Sequence, residues 1–148
     1  MKYDITDFTG RQVMVSPRLA LYAVKDFMGT ELPGLAVILD DVTDPSEPEQ
    51  YAVLTVSFGE FIGMKNCAYI DTNNCDFADQ LQSQGLASDT GFYKASGFCK
   101  YPLWQFEEGT LREIDNDVYQ KYSDAYDGYM ASMYGDEPDE DGIQEISL

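Results

Sequence analysis

Carboxylates are the side chains most able to do chemistry in this chain, and they come in three groups. Asp40, Asp41, Asp44, Glu47 and Glu49 crowd one short segment, and Glu113, Asp117, Asp124 and Asp127 recur at helical spacing. Asp136, Glu137, Asp139, Glu140 and Asp141 close the chain as a charge run. With 27 acidic and 9 basic residues the 148-residue chain has a formal charge of -18, well beyond the magnitude of about 2 to 8 that keeps a small domain soluble. Self-repulsion of that size costs stability, so a function that needs it is expected. Such a surface repels phosphate backbones and anionic lipid. Direct nucleic-acid or membrane binding is therefore not expected, and the expected partners are basic.

The chemistry that is missing matters as much. There is no histidine, which removes Ser-His-Asp and Cys-His catalysis and most zinc chemistry. Cys67, Cys75 and Cys99 are an odd set with no Cys-x-x-Cys pair; they read as reduced thiols packing the core. Asp71-Thr72-Asn73-Asn74-Cys75-Asp76 begins like a calcium loop but has Asp76 where glycine belongs and Gln82 at the twelfth position. A second run, Glu137-x-Asp139-x-Asp141-Gly142, would need its last ligand at Leu148. Neither is an EF-hand, and no metal or cofactor is expected. Asp71 to Asn74 reads more simply as a turn leading into a helix.

Elements must position these groups. Gln12–Val15 and Arg18–Phe27 read as strands separated by Pro17, and Leu35–Asp41 and Tyr51–Phe58 as a hairpin around a long acidic loop with Pro45 and Pro48. Cys67–Asp71 reads as a short buried strand. Asn74 is the expected cap of a short helix that Gly85 ends, and residues 86–97, polar and glycine-containing, read as loop. Phe98–Phe106 is aromatic and extended, and Pro102 predicts an edge strand or a bulge there. Trp104 is then a core aromatic or, on an open edge, a contact residue.

Residues 113–134 predict the main helix. Val118, Tyr119, Tyr122, Tyr126, Tyr129, Met130 and Met133 fall on one side and Glu113, Asp117, Asp124 and Asp127 on the other. The expected fold is α+β, a mainly antiparallel sheet of five or six strands with one short helix and a long C-terminal helix packed on it. Residues 1–135 form the expected domain and 136–148 an acidic tail. Net charge is -7 over residues 1–106 and -11 over 107–148, so the negative end is C-terminal. The first residues contain no apolar run and no stretch is long enough to cross a membrane, which predicts a soluble, cytoplasmic protein.

On a straight helix the four carboxylates would lie about 6, 10 and 4.5 Å apart in turn. These intervals are on the scale of the phosphates along a nucleic-acid strand, about 3.4 Å of rise per nucleotide. A rigid row of this kind can imitate a phosphate backbone and occupy a basic groove. The plain alternative is a solvated helix face.

The segments Asn66–Asn74 (NCAYIDTNN) and Ser96–Phe106 (SGFCKYPLWQF) resemble a family of small acidic domains of unknown function carried on plasmids and conjugative elements of Firmicutes, over residues 50–115. That resemblance implies a mobile-element setting and assigns no catalytic residue. The expected function is non-enzymatic. The protein would bind, by nucleic-acid mimicry, the groove of a basic nucleic-acid-binding protein such as a CRISPR nuclease or restriction enzyme. Two other readings stand beside it. One is a structural or interaction module, homodimeric through an exposed strand such as Phe98–Phe106; the other is a small metal-dependent or thiol enzyme using Asp71 or Cys75.

Overall fold

A computed structural model describes residues 1–135. It is α+β, with two four-stranded antiparallel sheets, a short helix and a long C-terminal helix. The first sheet is a meander of β1 (Tyr3–Thr6), β2 (Gln12–Lys25), β3 (Glu31–Asp41) and β4 (Glu49–Val53), in that spatial order. The second holds β5 (Thr55–Val56), β6 (Cys67–Ile70), β7 (Ser88–Ser96) and β8 (Cys99–Gln105) in the order β5-β6-β8-β7. Helix α1 (Ala78–Ser83) precedes β7, and α2 (Glu108–Tyr134) closes the chain.

Both tight turns of the first sheet use one device. Asp7 and Asp26 each accept two backbone N–H bonds on Oδ1, from the residues two and four further on, at 2.8–2.9 Å. Gly10 and Gly29 supply the left-handed residue (φ 86° and 82°) that such a loop requires. Between the turns, β2 runs unbroken through Pro17, which pairs with Leu39. The expected break at Pro17 does not occur. β1 begins at Tyr3 opposite Val15, so at Pro17 β2 pairs with β3 alone, where a missing N–H is tolerated.

The apolar run Tyr51–Phe58 is not one strand either. Leu54, fully buried, separates β4 from β5 and carries the chain from one sheet to the other. Its N–H donates to the Val37 carbonyl (2.9 Å), and its carbonyl accepts from Asp71 N (2.8 Å). The expected hairpin does form, β3 against β4 across residues 42–48.

Helix α1 is shorter than expected. It has no side-chain cap, and Asn74 instead donates its side-chain amide to Asp71 (2.9 Å). Its end is as read: Gly85 N bonds Gln82 O and Leu86 N bonds Leu81 O, the paired bonds of a Schellman motif, with Leu81 and Leu86 both buried beside them. Residues 86–97 were expected to be loop, but most of them form β7. Its own side chains are largely exposed, and it is a strand because β8 supplies its hydrogen bonds. Ser96 pairs with Cys99 across a two-residue turn with Gly97 at φ 61°. β8 is not an edge but an inner strand, bonded to β6 and β7. The bulge that Pro102 predicted lies in the partner strand, between Asp89 and Tyr93.

Helix α2 lies against β2 and β3, burying Leu111, Tyr119, Tyr122, Ser123 and Tyr126. It begins at Glu108 and is interrupted at Asp115, whose backbone is extended (φ −161°, ψ 98°). Asp115 Oδ1 accepts the N–H of Val118 (3.1 Å) and so caps a second helical segment. Asn66, at φ 65°, locks the helix to β6. Tyr119 donates to its side-chain carbonyl (2.8 Å), and its own N–H donates to Tyr122 Oη (2.9 Å). At the far end Tyr129 donates to Asp26 (2.6 Å), tying α2 to the β2–β3 turn.

Candidate partner-binding surfaces

The strand register decides where the first acidic group goes. Asp41 lies opposite Glu49, and Asp40 opposite Gln50; neighbouring residues on a strand face opposite sides, so Asp40 and Asp41 part company. Arg18 Nε donates to Asp40 (2.8 Å) and Arg18 Nη2 to Gln50 (3.0 Å). Asp41 turns toward Arg11, at 3.8 Å, and accepts the Thr43 N–H (2.9 Å). Asp44 accepts from Ser46 N (3.1 Å) and Ser46 Oγ (2.7 Å). Hydrogen bonds from Thr43 and from Ser46 hold the Asp41 and Asp44 carboxyls below the usual carboxylate range, so both stay charged well below neutral pH. Asp41, Asp44, Glu47 and Glu49 gather with Arg11 and Thr43 around an open hollow of about 320 Å³. Four carboxylates thus face one guanidinium.

The helical row is less regular than the spacing implied. Glu113 belongs to the segment before the Asp115 break, and Asp117, Asp124 and Asp127 to the one after it, so the four do not lie on one straight axis. Asp127 is in an ion pair with Lys65 (2.9 Å), and Asp124 accepts from Gln120 (2.8 Å). All four are exposed. Asp117 and Asp124 have no ion pair among the described residues. The third group, Asp136, Glu137, Asp139, Glu140 and Asp141, lies outside the described residues.

Burial pushes the Cys67 thiol up to about 11; burial, then Asp71 and Asp76, push Cys75 up to about 11. Both shifts run against the thiolate form that a nucleophile needs. Asp71 is spent on the turn, accepting from Asn74 N (3.2 Å) and Asn74 Nδ2 (2.9 Å). Among the described residues no group of three or more acidic or thiol side chains is placed to hold a metal ion. Trp104 is buried in the core, which removes it as a contact residue.

Two features had no counterpart in the sequence reading. Gln80 of α1 and Gln84, the residue that follows its last turn, cover the outer edge of β1 with their side-chain amides. Gln80 exchanges two bonds with Thr6 (2.8 and 2.9 Å), and Gln84 exchanges two with Asp4 (2.6 and 3.3 Å). The other is the β7–β8 hairpin, which presents Phe92, Tyr93 and Phe98 to solvent. A pattern of Gln at i and i+4 beside a short strand could have hinted at the first. The hairpin's Ser96-Gly97-Phe98-Cys99 turn was the available signal for the second.

A family described as a domain of unknown function, DUF4313, matches residues 24–126. The chain belongs to that family. The DUF4313 match runs from the end of β2 to Tyr126 of α2, taking in the acidic β3–β4 hairpin, Asn66 with Tyr119 and Tyr122, and the whole second sheet. β1 and Asp127 lie outside it. No curated protein and no solved structure matches the chain. No helix among the described residues is long and apolar enough to cross a membrane.

Proposed function

We propose that this DUF4313 protein is a non-catalytic, acidic inhibitor that occupies the basic nucleic-acid groove of a host defence protein, a nuclease or restriction enzyme, on behalf of a mobile element. The observation that carries the reading is the imbalance around the β3–β4 hollow, where four carboxylates meet one arginine. Elsewhere four basic side chains, Arg18, Lys65, Lys94 and Arg112, are already in ion pairs. Residues 136–148 hold six of the 27 carboxylate side chains, so the described residues carry 21 against all nine basic ones. A lysine- or arginine-lined groove would recover in the complex the neutralisation that the free protein lacks. The hollow, on the strand register of β3 and β4, is the part of that surface held in place by hydrogen bonds; the exposed Asp117 and Asp124 on α2 add further charge to the molecule.

The test is competition. A labelled duplex bound to a panel of restriction and CRISPR nucleases is challenged with the protein at low and at high salt. Displacement that weakens steeply with salt supports the reading, because charge mimicry inherits the electrostatics of the ligand it imitates. Neutralising Asp44, Glu47 and Glu49 together, and Asp117 and Asp124 together, should reduce displacement in steps. Displacement that ignores both salt and these substitutions would end it.

A further inference from the structure

Each open edge of the two sheets is a row of backbone donors and acceptors ready to pair with another strand, and this molecule treats its edges very differently. β1 is covered by the Gln80 and Gln84 amides. β5 is two residues long and sits against β3, with the Thr55 hydroxyl accepting the Val37 N–H (3.1 Å). β4 is five residues long and begins with Glu49 in the acidic hollow. β7 has nine residues, β8 on one side, and no strand on the other among the described residues. It is the long edge left without a cover.

The side chains around β7 are also unlike the rest of the surface. From Thr90 to Phe106 there are two lysines and no carboxylate. Phe92, Tyr93 and Phe98 are 61%, 55% and 109% exposed, so the open strand and its turn offer apolar side chains to a partner beside the backbone groups. Usual guards of an edge are an outward lysine or a bulge. Here Lys94 is drawn back over its own sheet, onto Glu60 (2.7 Å) and the Phe58 ring (5.3 Å). The bulge lies between Asp89 and Tyr93 and leaves Tyr93–Ser96 in regular register with β8.

We infer that β7 is a self-association edge, at which a second copy of this chain adds its own β7 in antiparallel fashion to make one continuous sheet about a two-fold axis. Charge selects both the occupant and the direction. Two molecules of net charge -18 repel wherever carboxylates face each other, so a contact between them is least opposed along residues 90–106, which have two lysines and no carboxylate. β7 has its one carboxylate, Asp89, near its first end, so antiparallel strands keep the Asp89 side chains of the two copies at opposite ends and parallel strands would set them side by side. Such an isologous contact closes after two copies and does not propagate. Phe98–Phe106, the strand expected from its residues to join two copies, is β8, which is already paired on both sides; the open strand is its neighbour.

This inference is independent of groove binding, and salt separates the two. Screening weakens attraction to a basic groove but relieves repulsion between two like-charged copies, so self-association should strengthen as salt rises. The experiment is sedimentation equilibrium on the full chain across a concentration series at low and high salt, with the variant Phe92→Ser/Phe98→Ser beside it. The expected result is a monomer–dimer equilibrium tightened at high salt and weakened at least tenfold in the variant. A second measurement guards against a variant that does not fold. Amide exchange in the unaltered protein should slow at Tyr93–Ser96 as concentration rises, with β1 amides unaffected. A protein monomeric at all salts and concentrations, or a dimer that leaves β7 exchange unchanged, overturns the inference.

Discussion

The β3–β4 and β7–β8 hairpins are built from the same kind of ladder and present opposite surfaces. Residues 40–49 carry five carboxylates and no base, and Asp41 sits directly across from Glu49. Residues 90–106 carry two lysines, no carboxylate and three exposed aromatic rings. Like charges placed opposite each other on paired strands destabilise the fold. The acidic hairpin therefore keeps its charge at a cost, with Arg11 and the Thr43 and Ser46 hydrogen bonds offsetting part of it. The aromatic hairpin leaves apolar surface in water, which is also unfavourable. The two hairpins of one small molecule each give up stability in a different way, and on the readings we propose the first loss is recovered in a cationic groove and the second in a contact with a second copy.

The contrast can be broken most forcefully at the acidic end. Asp44→Lys, Glu47→Lys and Glu49→Lys together should lower affinity for an inhibited nuclease on the order of a hundredfold at low salt, about 2.7 kcal/mol. Duplex-competition titration measures this. The same variant should dimerise as well as the parent or better, since repulsion between copies falls.

The next effect concerns the edge that is closed. Gln80→Ala/Gln84→Ala removes four hydrogen bonds from β1 and should cost about 2 kcal/mol, read as a lower urea midpoint. It should also turn β1 into a second open edge, so that closed dimers give way to larger assemblies in sedimentation. If the variant loses neither stability nor its defined size, covering is not what distinguishes β1 from β7.

Both hairpins hang on one core, and alkaline pH should loosen them together. The folded protein holds Cys67 and Cys75 at about 11, above the ordinary 9.0, and the hydrogen bond to Asp26, then burial, lifts Tyr129 to about 12 from 10.0. A raised thiol or phenol favours the fold while it keeps its proton. That stability is complete below about pH 9 and is lost as pH rises through 11 for the thiols and 12 for Tyr129. Thermal midpoints should fall across that window, with phenolate absorbance rising late and cooperatively. The smallest effect sharpens the contrast: Glu49→Gln relieves the cross-strand repulsion with Asp41 and should raise stability by about 0.2–0.5 kcal/mol, a gain visible in urea at low salt and reduced at high salt.

Much of this architecture is legible in the residues themselves. The apolar run of β3, the short strand at Cys67 and the tyrosine face of α2 follow from the apolar pattern, because each of these segments buries side chains against its neighbours, and the acidic loop after β3 follows from its prolines and charges. β7 escaped because its side chains say nothing of strand; pairing to β8 is a property of two segments together. The break at Asp115 escaped because an aspartate within a helical pattern can be a solvated residue or an internal cap, and periodicity does not distinguish them. Leu54 is one more apolar residue in a run, and its role as the joint between two sheets depends on Val37 and Asp71, distant in sequence.

The candidate surfaces divide along the same line. Charge, its sign and its clustering belong to the sequence, since ionisable side chains at this density stay at the surface in any fold. Which carboxylates face one another, which are taken up by Arg18, Arg11 or Lys65, and which strand edge remains open are tertiary facts. They depend on register and crossing, where a shift of one residue turns every side chain to the other face.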